Sequence, residues 1–105
     1  MVRGEVFRLP PPKAPRGHEQ SGPRYGVVVQ SDDLLALSTT LIAPTSTSAA
    51  PATFRPAVEI AGRTTRVLVE QMRVVAPERL GPSAGRLTGQ ELSAVEAALA
   101  LVLDL

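Results

Sequence analysis

The chain has 105 residues, of which 44% are hydrophobic, and its formal net charge is only +1. This length is enough for one compact core and not for two, so we expect a single domain spanning residues 1–105. Because the sequence contains no cysteine, disulfide frameworks, thiol nucleophiles and thiolate zinc sites are excluded.

The sequence gives no sign of a metal site or a membrane anchor. His18 is the only histidine, and the ten carboxylates show no spacing typical of a calcium loop. The first residues lack the apolar run of a signal peptide, and no later window approaches the ~20 apolar residues of a membrane span. We therefore expect a soluble cytoplasmic protein that uses no metal or other cofactor and has no membrane partner.

The cationic residues are mostly arginines and are unevenly distributed. Ten of the eleven cations are arginines, whose planar fork of donors suits phosphate, although a GC-rich genome would produce the same bias. Residues 1–30 carry five cations and two carboxylates, whereas residues 88–105 carry three carboxylates and no cation. This asymmetry predicts a positive face on the N-terminal half, as in proteins that contact a nucleic-acid backbone.

The apolar residues alternate with a period of two along most of the chain, which predicts a mainly β protein. In chain order we expect strands at residues 2–9, 25–30, 39–44, 54–60, 64–70, 71–75 and 85–87. A single helical turn is expected at residues 32–36 and a loop of small residues at 45–51. About a dozen residues after Leu9 form a long loop, and loops of that length are usually functional.

The last eighteen residues change to a helical period. Apolar residues recur on one face, and the segment Thr88-Gly89-Gln90-Glu91 is a capping box, so we expect one sizeable C-terminal helix. Alanines leave little polar surface on the rest of this helix, which is explained either by a dimer or partner contact or by simple burial. Many short strands followed by one helix predict a small barrel or roll with the helix packed across it.

The most informative segment is residues 17–32, GHEQSGPRYGVVVQSD. Here Arg24 lies between the breaker pair Gly22-Pro23 and the buried strand at 27–29, a position that fixes a cation at the rim of a site. The segment resembles the signature G-x-E-Q-x-G-x-R-P-V-V-V-x-Q-x-D of the MazF/PemK/Kid family of bacterial toxin endoribonucleases. Residues 67–73 and the closing residues 99–105 support the resemblance, which covers nearly the whole chain.

The resemblance implies an SH3-like small β-barrel of the MazF/CcdB type that forms a homodimer. It also implies a sequence-selective, metal-independent toxin that cleaves single-stranded RNA, namely mRNA, with tRNA and rRNA as alternatives. In this family the ribose 2′-hydroxyl attacks the phosphate, leaving a 2′,3′-cyclic phosphate and a 5′-hydroxyl. The implied protein partner is a cognate MazE-like antitoxin, whose acidic disordered segment competes with RNA.

The resemblance assigns catalytic roles to three positions. Arg24 matches the arginine that stabilises charge developing on phosphorus, a role suited to a fixed cation. The family's catalytic hydroxyl lies two residues beyond a proline, which here is Ser46 after Pro44; a shift of one residue would select Thr47 instead, and both remain open. Glu19 is the candidate general base, since a neighbouring arginine would keep its carboxylate ionised.

A second group of residues is predicted to contact RNA by position in the loop or in the matching motifs. Tyr25 replaces the family's proline and can stack on a base. His18 is either an incidental loop residue or a local group for proton transfer. The predicted RNA-binding residues are Lys13, Arg16, Gln20, Tyr25, Thr45, Glu70, Gln71 and Arg73. The last three either line the RNA groove or hold the loop, and for Glu70 a solvated surface carboxylate is a strong alternative.

Two other functions use the same barrel. A non-catalytic module for RNA binding or protein interaction is compatible with the departures at Tyr25 and Ser46. A CcdB-like toxin that binds DNA gyrase is the less favoured alternative, because such toxins end in a tryptophan-bearing motif and this chain contains no tryptophan.

Overall fold

The fold is a curled antiparallel sheet with one helix, seen in a computed structural model that describes residues 1–10 and 24–105. The seven strands of this part are β1 (Glu5–Leu9), β2 (Arg24–Val28), β3 (Thr40–Ser46), β4 (Ala57–Ile60), β5 (Arg63–Val67), β6 (Arg73–Val75) and β7 (Ser83–Arg86). The helix α1 spans Gly89–Leu103, and short 3-10 turns occupy Asp32–Leu34, Val69–Gln71 and Pro77–Arg79. The predicted mainly β fold with one C-terminal helix is confirmed.

The strand β3 is the centre of the sheet. The strands follow the order β4-β5-β3-β2-β1-β7, and β6 also pairs with β3. One edge of β3 pairs with β2, while its other edge pairs with β6 at Thr40–Ile42 and with β5 at Thr45–Ser46. Because two strands share that edge, the sheet bends there. Within the described ranges no ladder joins β4 to β7, so the sheet is an open half-barrel.

Apolar side chains cover both faces of β2, as its uninterrupted valines predict. Val27 and Val28 are both fully buried, but on opposite faces of the sheet. Val27 belongs to the main core beneath α1, together with Val95 and Leu99 of that helix. Val28 belongs to a smaller cluster with Leu9 and Ile42. The rigid strand that follows Arg24 is therefore anchored from two sides.

The start of α1 is fixed by the predicted capping box. The Thr88 hydroxyl accepts a hydrogen bond from the Glu91 amide at 3.1 Å, and the Glu91 carboxylate accepts one from the Thr88 amide at 2.9 Å. The second oxygen of Glu91 accepts from the amide of Glu59 in β4 at 2.8 Å. This third bond, which the sequence did not predict, ties the first turn of the helix to the edge strand.

Several predicted strand boundaries are wrong. The strand predicted at 54–60 begins only at Ala57, because the Arg55 amide closes a turn onto the Ala52 carbonyl and Pro56 has no amide proton. The strand predicted at 64–70 ends at Val67, and Val69–Gln71 is a 3-10 turn. Ser46 lies inside β3 rather than in the predicted loop, since it pairs with Arg66 of β5. The predicted long loop lies mostly at residues 11–23, outside the described residues.

Candidate nucleic-acid interface

The hydroxyl-rich end of β3 places its three hydroxyls in different surroundings. Thr45 is 6% exposed, and its hydroxyl donates to the Tyr25 carbonyl at 3.2 Å. Ser46 is half-buried, and its oxygen accepts from the Ser48 amide at 3.2 Å and lies 3.3 Å from the Ser48 hydroxyl. Thr47 is exposed. Thr45 therefore holds β3 to β2, whereas Ser46 is fixed by a turn and still reaches the surface.

The pairing of β2 with β3 brings Arg24 to the strand end that carries Ser46. The two strands are antiparallel, with Gly26 opposite Pro44 and Val27 opposite Ala43. Beyond this ladder, the Thr45 hydroxyl donates to the Tyr25 carbonyl and keeps the two strand ends together. Arg24 and Ser46 are the next residues along the two strands. The half-buried Arg24 forms no ion pair with any carboxylate of the described residues.

A cavity of about 150 Å³ opens beside the same strand end. Ile60 and Ala61 give it apolar surface, Tyr25 an aromatic ring, and Arg63 a cation. The hydroxyl-bearing residues that line it are Thr45, Ser46, Thr47 and Thr65. A partly apolar lining with an aromatic ring and several hydrogen-bonding groups suits a planar polar ring such as a nucleobase. Arg24 is not among the lining residues.

Sequence analysis missed the contribution of the β4–β5 hairpin to this cavity. Ile60, Ala61, Arg63 and Thr65 line it because β5 runs antiparallel to β3 beyond Ser46. The left-handed residues Ala61 (φ 53°) and Gly62 (φ 77°) form the two-residue turn between the strands. The predicted strands at 54–60 and 64–70 correspond to this hairpin, but only the pairing of β5 with β3 brings it to the hydroxyls.

Glu70, one of the predicted RNA-binding residues, is held in an ion pair. The Nε and Nη2 atoms of Arg55 donate to one oxygen of Glu70 at 2.9 Å and 2.7 Å. The other oxygen is buried, without a hydrogen-bond partner in the described part of the chain. Burial raises the pKa of Glu70, but the hydrogen bonds and charge of Arg55 outweigh it and leave the pKa below its ordinary value. Glu70 does not line the cavity.

The remaining predicted residues are divided between two surfaces. Gln71 is exposed and donates to Glu70 at 3.4 Å. Arg73 of β6 pairs with Ile42 of β3, and it lines a separate groove with Leu9 and Arg79. The predicted residues Lys13, Arg16, His18, Glu19 and Gln20 all lie outside the described residues.

Neither a metal cluster nor a membrane-spanning helix is found where the structure describes the chain. Residues 1–10 and 24–105 contain no group of three or more histidine, cysteine or acidic residues that could hold an ion. None of the helices in those ranges has the length and apolar character needed to cross a bilayer.

The fold and the site together define a small β protein in which hydroxyls and arginines meet at the end of β3. The chain belongs to the family of PemK-like, MazF-like toxins of type II toxin–antitoxin systems, whose pattern matches residues 2–103. This finding confirms the resemblance identified from the sequence.

Similar proteins include one curated sequence and several solved structures. A Mycobacterium tuberculosis protein named "Putative toxin Rv3098A/RVBD_3098A" is 42% identical over 106 residues, which cover 100% of this chain and 99% of that protein. A mycobacterial endoribonuclease solved with its cognate antitoxin superposes with a TM-score of 0.80 at 19% identity, covering 100% and 96% of the two chains. The Mycobacterium tuberculosis toxin MazF-mt6 gives 0.75 at 15% identity, covering 98% of each. These structural matches establish the shared fold.

Proposed function

We propose that this protein is an endoribonuclease that cleaves single-stranded RNA without a metal ion. The ribose 2′-hydroxyl attacks the adjacent phosphorus, the P–O5′ bond breaks, and the products carry a 2′,3′-cyclic phosphate and a 5′-hydroxyl. Membership of the toxin family supports this proposal, as do the structural neighbours named endoribonucleases. The observation that supports it best is the Thr45–Tyr25 hydrogen bond, which holds the β2 end that carries Arg24 next to the β3 end that carries Ser46.

Each candidate residue has a role that its chemistry allows. The guanidinium of Arg24 stabilises the negative charge that develops on the phosphoryl oxygens, and remains protonated at every relevant pH. The Ser46 hydroxyl donates to the same phosphate and holds it in line with the attacking oxygen. Glu19 takes the proton of the 2′-hydroxyl. The cavity lined by Tyr25 and Ile60 receives a neighbouring base.

The same proposal includes two protein contacts and a cytoplasmic location. A cognate antitoxin binds the arginine-bearing surface through an acidic segment and so excludes RNA. A structural neighbour solved in complex with its cognate antitoxin supports a partner of this kind. A second copy of the chain forms a homodimer through the exposed apolar end of α1. Its exposed members are Leu101, Val102, Leu103 and Leu105.

The test is incubation of purified protein with mixed single-stranded RNA oligonucleotides in excess chelator, followed by mapping of the fragment ends. Fragments with 5′-hydroxyl and 2′,3′-cyclic phosphate ends are expected. An Arg24→Ala variant purified in parallel controls for contaminating nuclease. Loss of cleavage on chelation would contradict the metal-free mechanism, and binding without cleavage would identify a non-catalytic RNA-binding module. Gyrase inhibition without either would identify a CcdB-like toxin.

A further inference from the structure

Ser46 has an arginine on each side of it in the sheet. Arg66 of β5 is its direct partner in the β3–β5 ladder. Arg24 begins β2, which pairs with the opposite edge of β3. Since opposed residues of a ladder project on the same face, Ser46 and Arg66 lie on one side of the sheet. Across the three strands the order is therefore Arg24 of β2, Ser46 of β3 and Arg66 of β5.

The Arg66 side chain is oriented but is not neutralised. It is half-buried, and its Nη1 donates to the backbone carbonyl of Arg55 at 2.9 Å. Within residues 1–10 and 24–105 it forms no ion pair with a carboxylate. A guanidinium has five N–H donors in a planar fork, so one bond to a carbonyl fixes its direction and leaves other donors for an anion.

The charge of the neighbouring Arg55, in contrast, is neutralised by an ion pair with Glu70. Arg55 donates twice to Glu70 and once to the Ala50 carbonyl, at 3.2 Å. Glu70 is thereby occupied and does not serve as the counter-ion of Arg66. The carbonyl that orients Arg66 belongs to this fixed residue, so Arg66 is held by a rigid support.

We infer that Arg66 is a second phosphate-binding residue, which contacts the scissile phosphate from the side of Ser46 opposite to Arg24. This inference rests on the proposed function, because it assumes that RNA is bound at Ser46. Two guanidiniums on either side of one hydroxyl bind both non-bridging oxygens of a single phosphate, and bidentate geometry adds orientation as well as affinity. Arg66 then contributes to positioning the phosphate, not only to attracting RNA.

The first test measures binding separately from cleavage, with an uncleavable 2′-deoxy oligonucleotide titrated at several salt concentrations. For Arg66→Gln, we expect the slope of log K against log salt to fall by about 0.7, the value for one phosphate contact on a single strand. Arg86→Gln is the matched control, since it removes the same charge from an exposed site on β7 at the far edge of the sheet. The inference would be overturned if wild type and Arg66→Gln had the same slope. It would also be overturned if Arg66→Gln and Arg86→Gln lowered the slope equally.

The second test asks which phosphate is bound, using cleavable RNA with one non-bridging oxygen of the scissile phosphate replaced by sulfur. Wild type should cleave the two phosphorothioate isomers at different rates, and Arg66→Gln should reduce that ratio toward one. Arg66→Lys should keep most of the salt slope and also lose the ratio, because lysine has no fork. An unchanged ratio with a lower melting temperature would make Arg66 a structural support of Arg55 and overturn the inference. If wild type binds the 2′-deoxy strand but cuts no RNA, the proposed function fails, while the salt slopes still decide whether Arg66 binds phosphate.

Discussion

At the scale of single residues, the structure distinguishes the two hydroxyls between which the sequence left the choice open. Ser46 lies inside β3 and has an arginine position on each flank. Thr47 follows the strand and is exposed. A phosphate positioned between two strands needs a donor whose backbone is fixed by the ladder, and Ser46 meets that requirement.

We therefore predict that Ser46→Ala lowers the single-turnover rate of RNA cleavage by about 10²-fold, the cost of one fixed transition-state donor. Ser46→Thr should retain most of the rate because it keeps the hydroxyl. Thr47→Ala is the matched control and should lower the rate by less than about tenfold. If the effects of the two alanine variants are reversed, the family's register is shifted by one residue and Thr47 is the catalytic hydroxyl.

A second prediction at this scale separates charge from geometry at Arg24. Arg24→Ala should lower the single-turnover rate by on the order of 10²-fold or more but weaken RNA binding much less, by about one phosphate contact. Arg24→Lys should restore most of the binding and little of the rate, because a point charge does not hold two phosphoryl oxygens in a set geometry. A parallel loss of rate and affinity in both variants would make Arg24 a docking residue only.

At the scale of elements, an ion pair links the segment that follows β3 to the turn that follows β5. Arg55 and Glu70 pair with both side chains about a quarter exposed. The third guanidinium nitrogen of Arg55 donates to the Ala50 carbonyl, four residues beyond Ser46. These bonds fix the path of residues 47–56, the segment that follows β3. Glu70 therefore supports the segment next to the candidate site.

We predict that Glu70→Gln lowers the free energy of unfolding by about 1 kcal/mol at pH 7, a value kept small because the pair is partly exposed. The pKa of Glu70 is below its ordinary value in the folded state. Its stabilisation is therefore complete above the unfolded pKa and is lost as the pH falls through the folded one. Urea unfolding at pH 7 and pH 3 should show the difference from wild type shrinking at the lower pH. Glu78→Gln, at an exposed carboxylate, should show no such difference, and a constant gap would contradict the ion-pair explanation.

The helix start gives a second prediction at this scale. Thr88→Ala removes one capping bond and should cost about 1 kcal/mol. Glu91→Ala should cost more, because it removes the bond to the Thr88 amide and also the bond to Glu59 of β4. Thermal unfolding should give the order wild type, Thr88→Ala, Glu91→Ala from highest to lowest melting temperature, with Gln90→Ala as a neutral control. An equal loss in the two capping variants would mean that the bond to β4 contributes nothing.

At the scale of the whole molecule, periodicity predicted the fold class but not the site. The capping box and the valines of β2 act through neighbouring residues, so the sequence is enough to identify them. The cavity is lined by Thr45 of β3 and by Arg63 and Thr65 of β5. The residues Arg24, Ser46 and Arg66 likewise lie on three different strands, β2, β3 and β5. Both depend on which strands pair and in which register, which one sequence does not specify. The ion pair of Glu70 was not predicted for the same reason, since its partner Arg55 is 15 residues away.

The last prediction concerns the apolar end of α1. Leu101 is 57% exposed and lies near three other exposed apolar residues in the final turn and tail of the chain. Exposed apolar residues concentrated at one end of a small domain are typical of an interface. If a second copy covers it, Leu101→Glu should convert a dimer into a monomer in sedimentation velocity, since an unpaired carboxylate is costly to bury. Leu34→Glu is the matched control. Leu34 is 51% exposed and lies away from the end of α1, so its replacement should leave the dimer intact.

A wild-type protein that is monomeric at micromolar concentration would contradict the homodimer. Loss of the dimer in both variants would show that the interface is not confined to the helix end.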